Sequence, residues 1–177
     1  MVLLEVNDLR TSFFTDAGEV KAVNGISFQL DRGKVLGIVG ESGSGKSVTA
    51  YSIMQILAST GKIVGGSIKL DGEELVDAGE KKMRKVRGNK ISIIFQDPMT
   101  SLNPTMKVGA QIEEIFIGDK SISKAEKKRR AIEILELVGI NEAERRYNQY
   151  PHELSGGMKQ RVMIAIALVG RPSIVIA

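Results

Sequence analysis

Apolar and polar positions alternate over two short stretches near the N-terminus, at Leu3–Val6 and Ile26–Leu30. This period of two predicts half-buried strands, and Asn24-Gly25 ahead of the second predicts a turn. Val35–Val39 is apolar without a break, which predicts a central parallel strand covered on both faces. The N-terminal part of the chain is therefore expected to be rich in strands.

The pattern changes to a helical period after the glycine-rich residues that follow. A helix is predicted from about Ser47 to Leu57, because apolar residues recur three positions apart within it. Ile68–Leu70 predicts a strand ending in a turn at Asp71-Gly72, and Ile91–Phe95 predicts another buried strand.

The C-terminal half is mainly helical. Ser123 and Glu126 have the spacing of a capping box and open a helix that Gly139 ends. Ser155 opens a second helix that runs through Leu168, and Ile174–Ala177 predicts a last buried strand. Strands that flank a helical middle indicate an α/β core with a helical insertion at about 97–165.

Composition narrows the class of protein. A length of 177 residues fits one domain, and 42% hydrophobic with 26% charged residues excludes global disorder. Cysteine is absent, which excludes disulfides, thiolate zinc sites and iron–sulfur clusters. No apolar run approaches the roughly 18 residues that span a bilayer.

Positive charge is concentrated in one stretch. Residues 81–90 hold six basic residues and no acid, and removing these six charges from the net charge of +4 leaves −2. A solvated surface is the simpler interpretation of this stretch, and contact with acidic groups of a partner or membrane is the alternative. The basicity is local and does not indicate a nucleic-acid-binding domain.

Residues 40–47 read Gly-Glu-Ser-Gly-Ser-Gly-Lys-Ser, which matches the phosphate-binding loop pattern. Glycines allow backbone N–H groups to surround phosphate oxygens, and the following helix adds its positive N-terminal end. Lys46 can reach the β- and γ-phosphates, and the Ser47 hydroxyl can ligate Mg²⁺. Because a buried-type strand precedes the loop and a helix follows it, we expect nucleotide binding.

A second glycine-rich helix start, Leu154-Ser-Gly-Gly-Met-Lys-Gln-Arg161, selects among the nucleotide-binding classes. It resembles the signature of ATP-binding cassette (ABC) ATPases, with Met158 in place of glutamine. An ordinary capped helix would explain Ser155 but not two glycines in a first turn, where each costs about 1 kcal/mol. The resemblance implies a P-loop NTPase core, an antiparallel β subdomain and a helical subdomain that carries the signature.

The resemblance also implies a map of functional residues, with ATP and Mg²⁺ as cofactors. Gln96 matches the glutamine that approaches Mg²⁺ and the attacking water. Phe13 matches the aromatic residue that stacks on adenine, although Phe14 could do this instead and a core phenylalanine is a competing interpretation. The predicted catalytic residues are Lys46 and Gln96, the metal-binding residues are Ser47 and Gln96, and the nucleotide-binding residues are Phe13, Gly40, Glu41, Ser42, Gly43, Ser44, Gly45, Lys46, Ser47, Ser155, Gly156 and Gly157.

One subfamily is indicated by residues 95–104 and 150–155, which resemble the dipeptide and oligopeptide importer ATPases. This resemblance implies a second ATPase subunit bound head to tail, two membrane permeases and an extracytoplasmic solute-binding protein. It also implies a peripheral location at the cytoplasmic face of the membrane. No nucleic acid is expected as a partner.

The chain departs from the family at its end. ABC ATPases place an Asp-Glu pair after the strand that precedes catalysis, and Ser173–Ala177 stops where the pair should begin. The family's switch histidine has no counterpart, since His152 lies before the signature and is better explained as structural or subfamily-marking. The chain therefore resembles the N-terminal portion of one cassette, with about 1–96 as core, 97–165 as helical subdomain and 166–177 as a returning core strand.

The intact protein is expected to be an ATPase that drives peptide import, and the 177-residue chain is expected not to hydrolyse ATP. Nickel import remains open, because nickel importers share the subfamily motifs. A nucleic-acid-linked ABC ATPase would use the basic stretch at 81–90, but coiled-coil heptads are missing. A nucleotide-binding module without hydrolysis is favoured by the missing Asp-Glu pair.

Overall fold

The computed structural model describes residues 1–97, 101–119 and 121–177. The chain divides into two compact units, Met1–Arg84 and Lys85–Ala177. Each unit has its own secondary structure, and the finer division at about 96 and 165 stays a prediction.

The first unit contains a four-stranded antiparallel sheet with the strand order β2-β1-β3-β4. Its strands are β1 (Val2–Thr15), β2 (Gly18–Asp31), β3 (Gly61–Leu70) and β4 (Glu73–Glu74). Helix α1 (Lys46–Met54) buries one side against this unit, and α2 (Glu80–Val86) follows. The strands predicted at Leu3–Val6, Ile26–Leu30 and Ile68–Leu70 and the turn at Asp71-Gly72 are confirmed, and each strand is longer than the segment that predicted it.

The turn predicted at Asn24-Gly25 is wrong. Both residues lie inside β2, where the pairing with β1 shifts register between Leu9 and Arg10. Gly25 has a φ of +83°, and a Cβ there would lie 2.7 Å from the Asp8 carboxylate. An Asn-Gly pair supplies the same backbone freedom to a bulge as to a turn, so local sequence does not separate the two.

The prediction of a buried central strand at Val35–Val39 is also wrong for this structure. The segment has no regular secondary structure, and Val35 and Val39 are 99% and 93% exposed. A strand needs hydrogen-bonded neighbours, and no described strand pairs with this segment. An apolar run shows what a segment could bury, whereas its burial depends on neighbours that the run does not specify.

The second unit is mainly helical. Its elements are β5 (Ile91–Ile93), α3 (Val108–Glu113), α4 (Lys124–Leu137), α5 (Ala143–Tyr147), α6 (Gly156–Leu168) and β6 (Ile174–Ile176). Short 3₁₀ turns occupy Glu114–Phe116 and Pro151–Glu153. The helices share a hydrophobic core whose fully buried members include Val108, Ile112, Leu135, Val162 and Ala165. None of the helices among the described residues is long and apolar enough to cross a bilayer.

Both predicted serine caps are confirmed. Ser123 accepts a hydrogen bond from the Glu126 amide at 3.2 Å, and Ser155 accepts one from the Met158 amide at 3.3 Å. The Glu126 carboxylate accepts hydrogen bonds from Arg129 and Arg130 instead of from the Ser123 amide, so the capping box is not formed. These local signals therefore placed the two helix starts correctly.

The two C-terminal strand predictions are confirmed in shortened form. Strands β5 and β6 pair in parallel, with Ile91 opposite Ile174 and Ile93 opposite Ile176. Phe95, predicted as the end of a buried strand, lies beyond β5 and is 40% exposed. Just beyond the paired residues, the Ile94 amide donates to the Ile176 carbonyl at 2.8 Å.

Candidate functional site

The loop at residues 40–47 encloses the ammonium group of its own lysine. Lys46 Nζ donates to the Gly40 and Glu41 carbonyl oxygens at 2.7 Å each, and to Ser44 Oγ at 3.3 Å. The Ser44 amide closes the loop by donating to the Glu41 carbonyl at 3.2 Å. The cation is therefore held over the loop by oxygen atoms, which are the kind of partner that a phosphate would supply.

Gly45 joins this loop to helix α1 and could not be replaced by a residue with a side chain. Its φ is +92°, and a Cβ would lie 2.5 Å from the Ala22 carbonyl oxygen in β2. The register of β2 against β1 shifts next to Ala22, between Thr11 and Ser12. The helix start consequently rests directly on the sheet backbone, and its exposed N–H groups have no side-chain cap.

Phe13 lies on the sheet in the same unit as the loop. It pairs with Val20 on one side and with Gly61 on the other, and a Cβ at Gly61 would be 2.8 Å from Phe13 Cε1. The ring is half-buried, while the facing Val20 is 56% exposed. Phe13 and Val20 thus form an apolar strip against which a planar base could lie. Val20 was not predicted, because only the strand pairing places it opposite Phe13.

Phe14 points to the opposite face of the same strand, since successive side chains alternate. It is 45% exposed, and Lys62 Nζ lies 5.9 Å from the centre of its ring. Thr11 and Phe13 share the other face, where the Thr11 hydroxyl contacts Ser52 of α1. The helix that follows the loop therefore packs on the Phe13 face, which favours Phe13 over Phe14.

The second glycine-rich segment opens helix α6 in the second unit. Ser155 caps the helix, and nothing lies within 4 Å of the positions where a Cβ would be added to Gly156 or Gly157. Leu154, immediately before them, is buried in the helical core. The segment thus exposes backbone N–H groups at a helix N-terminus, which is the geometry that favours anions. His152 lies outside this turn and stacks on Tyr150, with ring centres 5.6 Å apart.

Two side chains on α6, Met158 and Arg161, connect this turn to the rest of the helical unit. Met158, which stands where the family signature has glutamine, packs against the helical core. Arg161 Nη1 donates to the Val138 and Gly139 carbonyl oxygens at 2.8 and 3.1 Å, at the C-terminal end of α4. Cationic donors at a helix C-terminus satisfy its unpaired carbonyls, so Arg161 connects α6 to α4.

The predicted site residues are divided between the two units. Phe13 and residues 40–47 belong to the first, whereas Gln96 and Ser155–Gly157 belong to the second. Gln96 is exposed and lies three residues beyond the end of β5. The residues 98–100 that complete the predicted Gln96 loop, and part of the subfamily motif, lie outside the described residues.

Metal binding at this loop would depend on Ser47. Its side chain is exposed in the first turn of α1, and nothing lies within 4 Å of the position where a Cβ would be added to Gly43. Within residues 1–97, 101–119 and 121–177, no group of three or more His, Asp or Glu side chains is placed to hold a metal ion. Mg²⁺ in nucleotide sites usually takes few protein ligands beside the phosphates, and the exposed Ser47 hydroxyl fits that kind of ligand.

The basic stretch at 81–90 is a mixed-charge surface where α2 begins. Lys82 Nζ donates to the Glu74 carbonyl at 2.9 Å and lies 3.7 Å from the Glu73 carboxylate. Arg84 lies 3.4 Å from Glu80 one turn earlier. Exposed pairs of this kind contribute little to stability, but they reduce the local positive field.

Comparison with known proteins agrees with this geometry. Residues 23–177 match the sequence profile described as ABC transporter. The chain is 56% identical to the oligopeptide transport ATP-binding protein OppD of Bacillus subtilis, over 99% of this chain and 49% of that protein. It is 51% identical to the dipeptide transport ATP-binding protein DppD of Lactococcus lactis, over 99% of this chain and 50% of that protein. The chain spans about half the length of these curated relatives.

Solved structures with this fold are ABC cassettes. The dimeric, post-hydrolysis structure of the cassette MJ0796 with ADP and Pi superposes with a TM-score of 0.85 at 27% identity, over 98% of this chain and 72% of that one. CbiO1 of Clostridium perfringens, part of the transporter complex CbiONQ, gives a TM-score of 0.76 at 29% identity, over 98% and 64% of the two chains. The expected fold, a P-loop ATPase core with a β subdomain and a helical signature subdomain, is thereby confirmed.

Proposed function

The chain belongs to the ABC transporter family, and from that premise we propose that it is the ATP-binding portion of a subunit that drives peptide import. The observation that carries the proposal is the loop at 40–47, in which glycine conformations and Lys46 form a site for phosphate. The oligopeptide and dipeptide names of relatives at 56% and 51% identity support peptides as the transported class.

We assign the nucleotide contacts to residues of the first unit. Backbone N–H groups of Gly40–Ser47 surround the phosphates, and Lys46 exchanges its loop carbonyls for β- and γ-phosphate oxygens. Ser47 supplies a hydroxyl ligand to Mg²⁺, and Phe13 stacks on the adenine beside Val20. Bound Mg²⁺ neutralises developing phosphate charge during hydrolysis, and Gln96 contributes to positioning the metal and water.

The signature segment completes the site of a second ATPase subunit in this proposal. Ser155, Gly156 and Gly157 present N–H groups to the phosphates bound by the partner, and the two subunits pair head to tail. Pairing and separation then drive two membrane permeases that receive peptide from an extracytoplasmic binding protein. The subunit would act at the cytoplasmic face of the membrane, as a peripheral protein.

Residues 1–177 alone are expected to bind ATP without turning it over. No Asp-Glu pair follows a buried-type strand in the sequence, so metal positioning and water activation would be incomplete. Phosphate release by the purified 177-residue chain should equal that of its Lys46→Ala variant. Steady release that the substitution abolishes would contradict this expectation.

Transport by cells tests the function as a whole. Cells carrying the intact gene with its permease genes should accumulate a labelled tripeptide, and Lys46→Ala should abolish accumulation, while Lys34→Ala serves as a charge-matched control. Radioactive nickel is measured in parallel. Uptake of nickel without uptake of peptide would reject the peptide assignment and favour the nickel alternative.

A further inference from the structure

Two buried hydroxyl groups join helix α1 to strand β1. Thr11 Oγ1 and Ser52 Oγ lie 2.8 Å apart, although the residues are 41 positions apart in sequence. Both side chains are buried, at 0% exposure. Buried hydroxyls without a partner are costly, so a pair placed in this way fixes where the helix lies on the sheet.

The direction of the hydrogen bond follows from the second contact of Ser52. Ser52 Oγ also lies 2.7 Å from the Val48 carbonyl oxygen, which can only accept. A hydroxyl carries one hydrogen, so Ser52 donates to Val48 and accepts from Thr11. Among the described residues, the Thr11 hydroxyl therefore has Ser52 as its one hydrogen-bond partner, whereas Ser52 keeps Val48 if Thr11 is changed.

The pair connects the two parts of the proposed nucleotide site. Ser52 lies on the helix whose first residue is Lys46, and Thr11 lies two residues before Phe13 on the same face of β1. The Phe13 ring is held on the sheet by its close approach to Gly61. Helix α1 meets the sheet at two points, at Gly45 against the Ala22 carbonyl and at Ser52 against Thr11, so the hydroxyl pair supplies the second of the two contacts that place the phosphate loop relative to the Phe13 ring.

We infer that Thr11 and Ser52 are positioning residues that set the separation between the phosphate loop and the base-stacking Phe13. The inference rests on the proposed function, since it takes Phe13 as the residue that receives the base. It assigns to the pair a part in recognising the nucleoside portion of ATP, with no part in holding the triphosphate.

Substitution of Thr11 by valine should separate recognition of the nucleoside portion of ATP from binding of its triphosphate. A methyl group needs about 3.3–3.6 Å from an oxygen, so it cannot occupy the 2.8 Å contact and displaces α1 from the strand. The loop and Lys46 move together with the helix and keep their own geometry. Thr11→Ser retains the hydroxyl and should retain the native separation.

The experiment measures dissociation constants of the intact subunit for Mg·ATP and for inorganic triphosphate. Thr11→Val should raise the ATP constant by about fivefold, a fraction of what a stacked ring supplies, and leave the triphosphate constant within about twofold. Thr11→Ser should restore ATP binding. In a Phe13→Ala background, Thr11→Val should have no further effect on ATP.

Each other outcome has a definite meaning. Equal weakening for ATP and triphosphate, or no weakening in Thr11→Val while Phe13→Ala weakens ATP alone, would overturn the inference and leave the proposed function intact. If Phe13→Ala itself left ATP binding unchanged, the assignment of Phe13 in the proposed function would fail together with the inference. Ser52→Ala provides a second route: it should weaken ATP binding in the same selective way, and lower the unfolding temperature more than Thr11→Val does.

Discussion

Helices α1 and α6 both begin at glycine-rich turns, but they are stabilised in opposite ways. Helix α1 has Gly45 at its N-cap, no side-chain cap, and the Lys46 ammonium held over the preceding loop. Helix α6 has its own cap in Ser155, open space around Gly156 and Gly157, and no acidic residue in its first turn. The first helix begins with a lysine, whereas the second begins with two glycines.

This difference agrees with the proposal that the two turns contribute in different ways to a nucleotide site. In the proposed function, a lysine and a loop that rests on the sheet would allow the first turn to bind a triphosphate by itself. The second helix begins at Gly156 instead of at a lysine, and its Met158 and Arg161 contact the helical core and the end of α4. In the proposed function, it would add weaker contacts to a phosphate that another subunit already holds.

The largest effect is expected at the point where the first turn rests on the sheet. Gly45→Ala would force a Cβ to within 2.5 Å of the Ala22 carbonyl at a φ of +92°. Strain and overlap together should cost about 2–5 kcal/mol of unfolding free energy and remove ATP binding.

Gly43→Ala is the matched control, because Gly43 has a φ of +83° and nothing within 4 Å of an added Cβ. Backbone strain alone should lower its unfolding free energy, by about 1–2 kcal/mol. Urea unfolding of both variants measures the difference. Equal losses would show that the sheet does not support the loop as described.

A medium effect is expected at the second turn. Ser155→Ala and Ser123→Ala each remove a serine cap whose oxygen accepts one backbone N–H, at 3.3 and 3.2 Å. Each should lower the unfolding free energy by about 1 kcal/mol. Only Ser155→Ala should also weaken ATP-dependent pairing of the intact subunits, measured by light scattering. Equal pairing in the two variants would remove Ser155 from the nucleotide site.

Prediction from the sequence succeeded where the residues that determine a feature lie close together in the chain. Ser123 and Ser155 were recognised as caps because a cap bonds an amide three residues ahead, within the same short segment. The strand at Val35–Val39 failed because a strand requires partners elsewhere in the chain. The Thr11–Ser52 pair and the facing of Phe13 by Val20 had no sequence signal, since both follow from the packing and register of distant segments.

The smallest effect concerns the helical unit away from both turns. Tyr147 donates to the Glu113 carboxylate at 2.6 Å, and burial together with this bond raises the pKa of Tyr147 to about 12. A raised pKa stabilises the fold below the unfolded tyrosine pKa of about 10, and the contribution is lost as the pH rises from 10 to 12.

The difference in unfolding free energy between the wild type and Tyr147→Phe should therefore shrink across that interval. An absorbance titration should assign the last phenolate to Tyr147. A difference that stays constant to pH 12 would mean that the hydrogen bond to Glu113 does not hold the phenol protonated.

Calorimetric titration of the chain with Mg·ATP, comparing Lys46→Ala with Lys34→Ala, tests the central claim most directly. Lys46 is bonded to the phosphate loop, and a charge-assisted phosphate contact is worth about 1.5–3 kcal/mol. Lys46→Ala should therefore weaken ATP binding by at least about tenfold, while Lys34→Ala binds as the wild type does. Equal affinity of the two variants and the wild type would contradict nucleotide binding at residues 40–47.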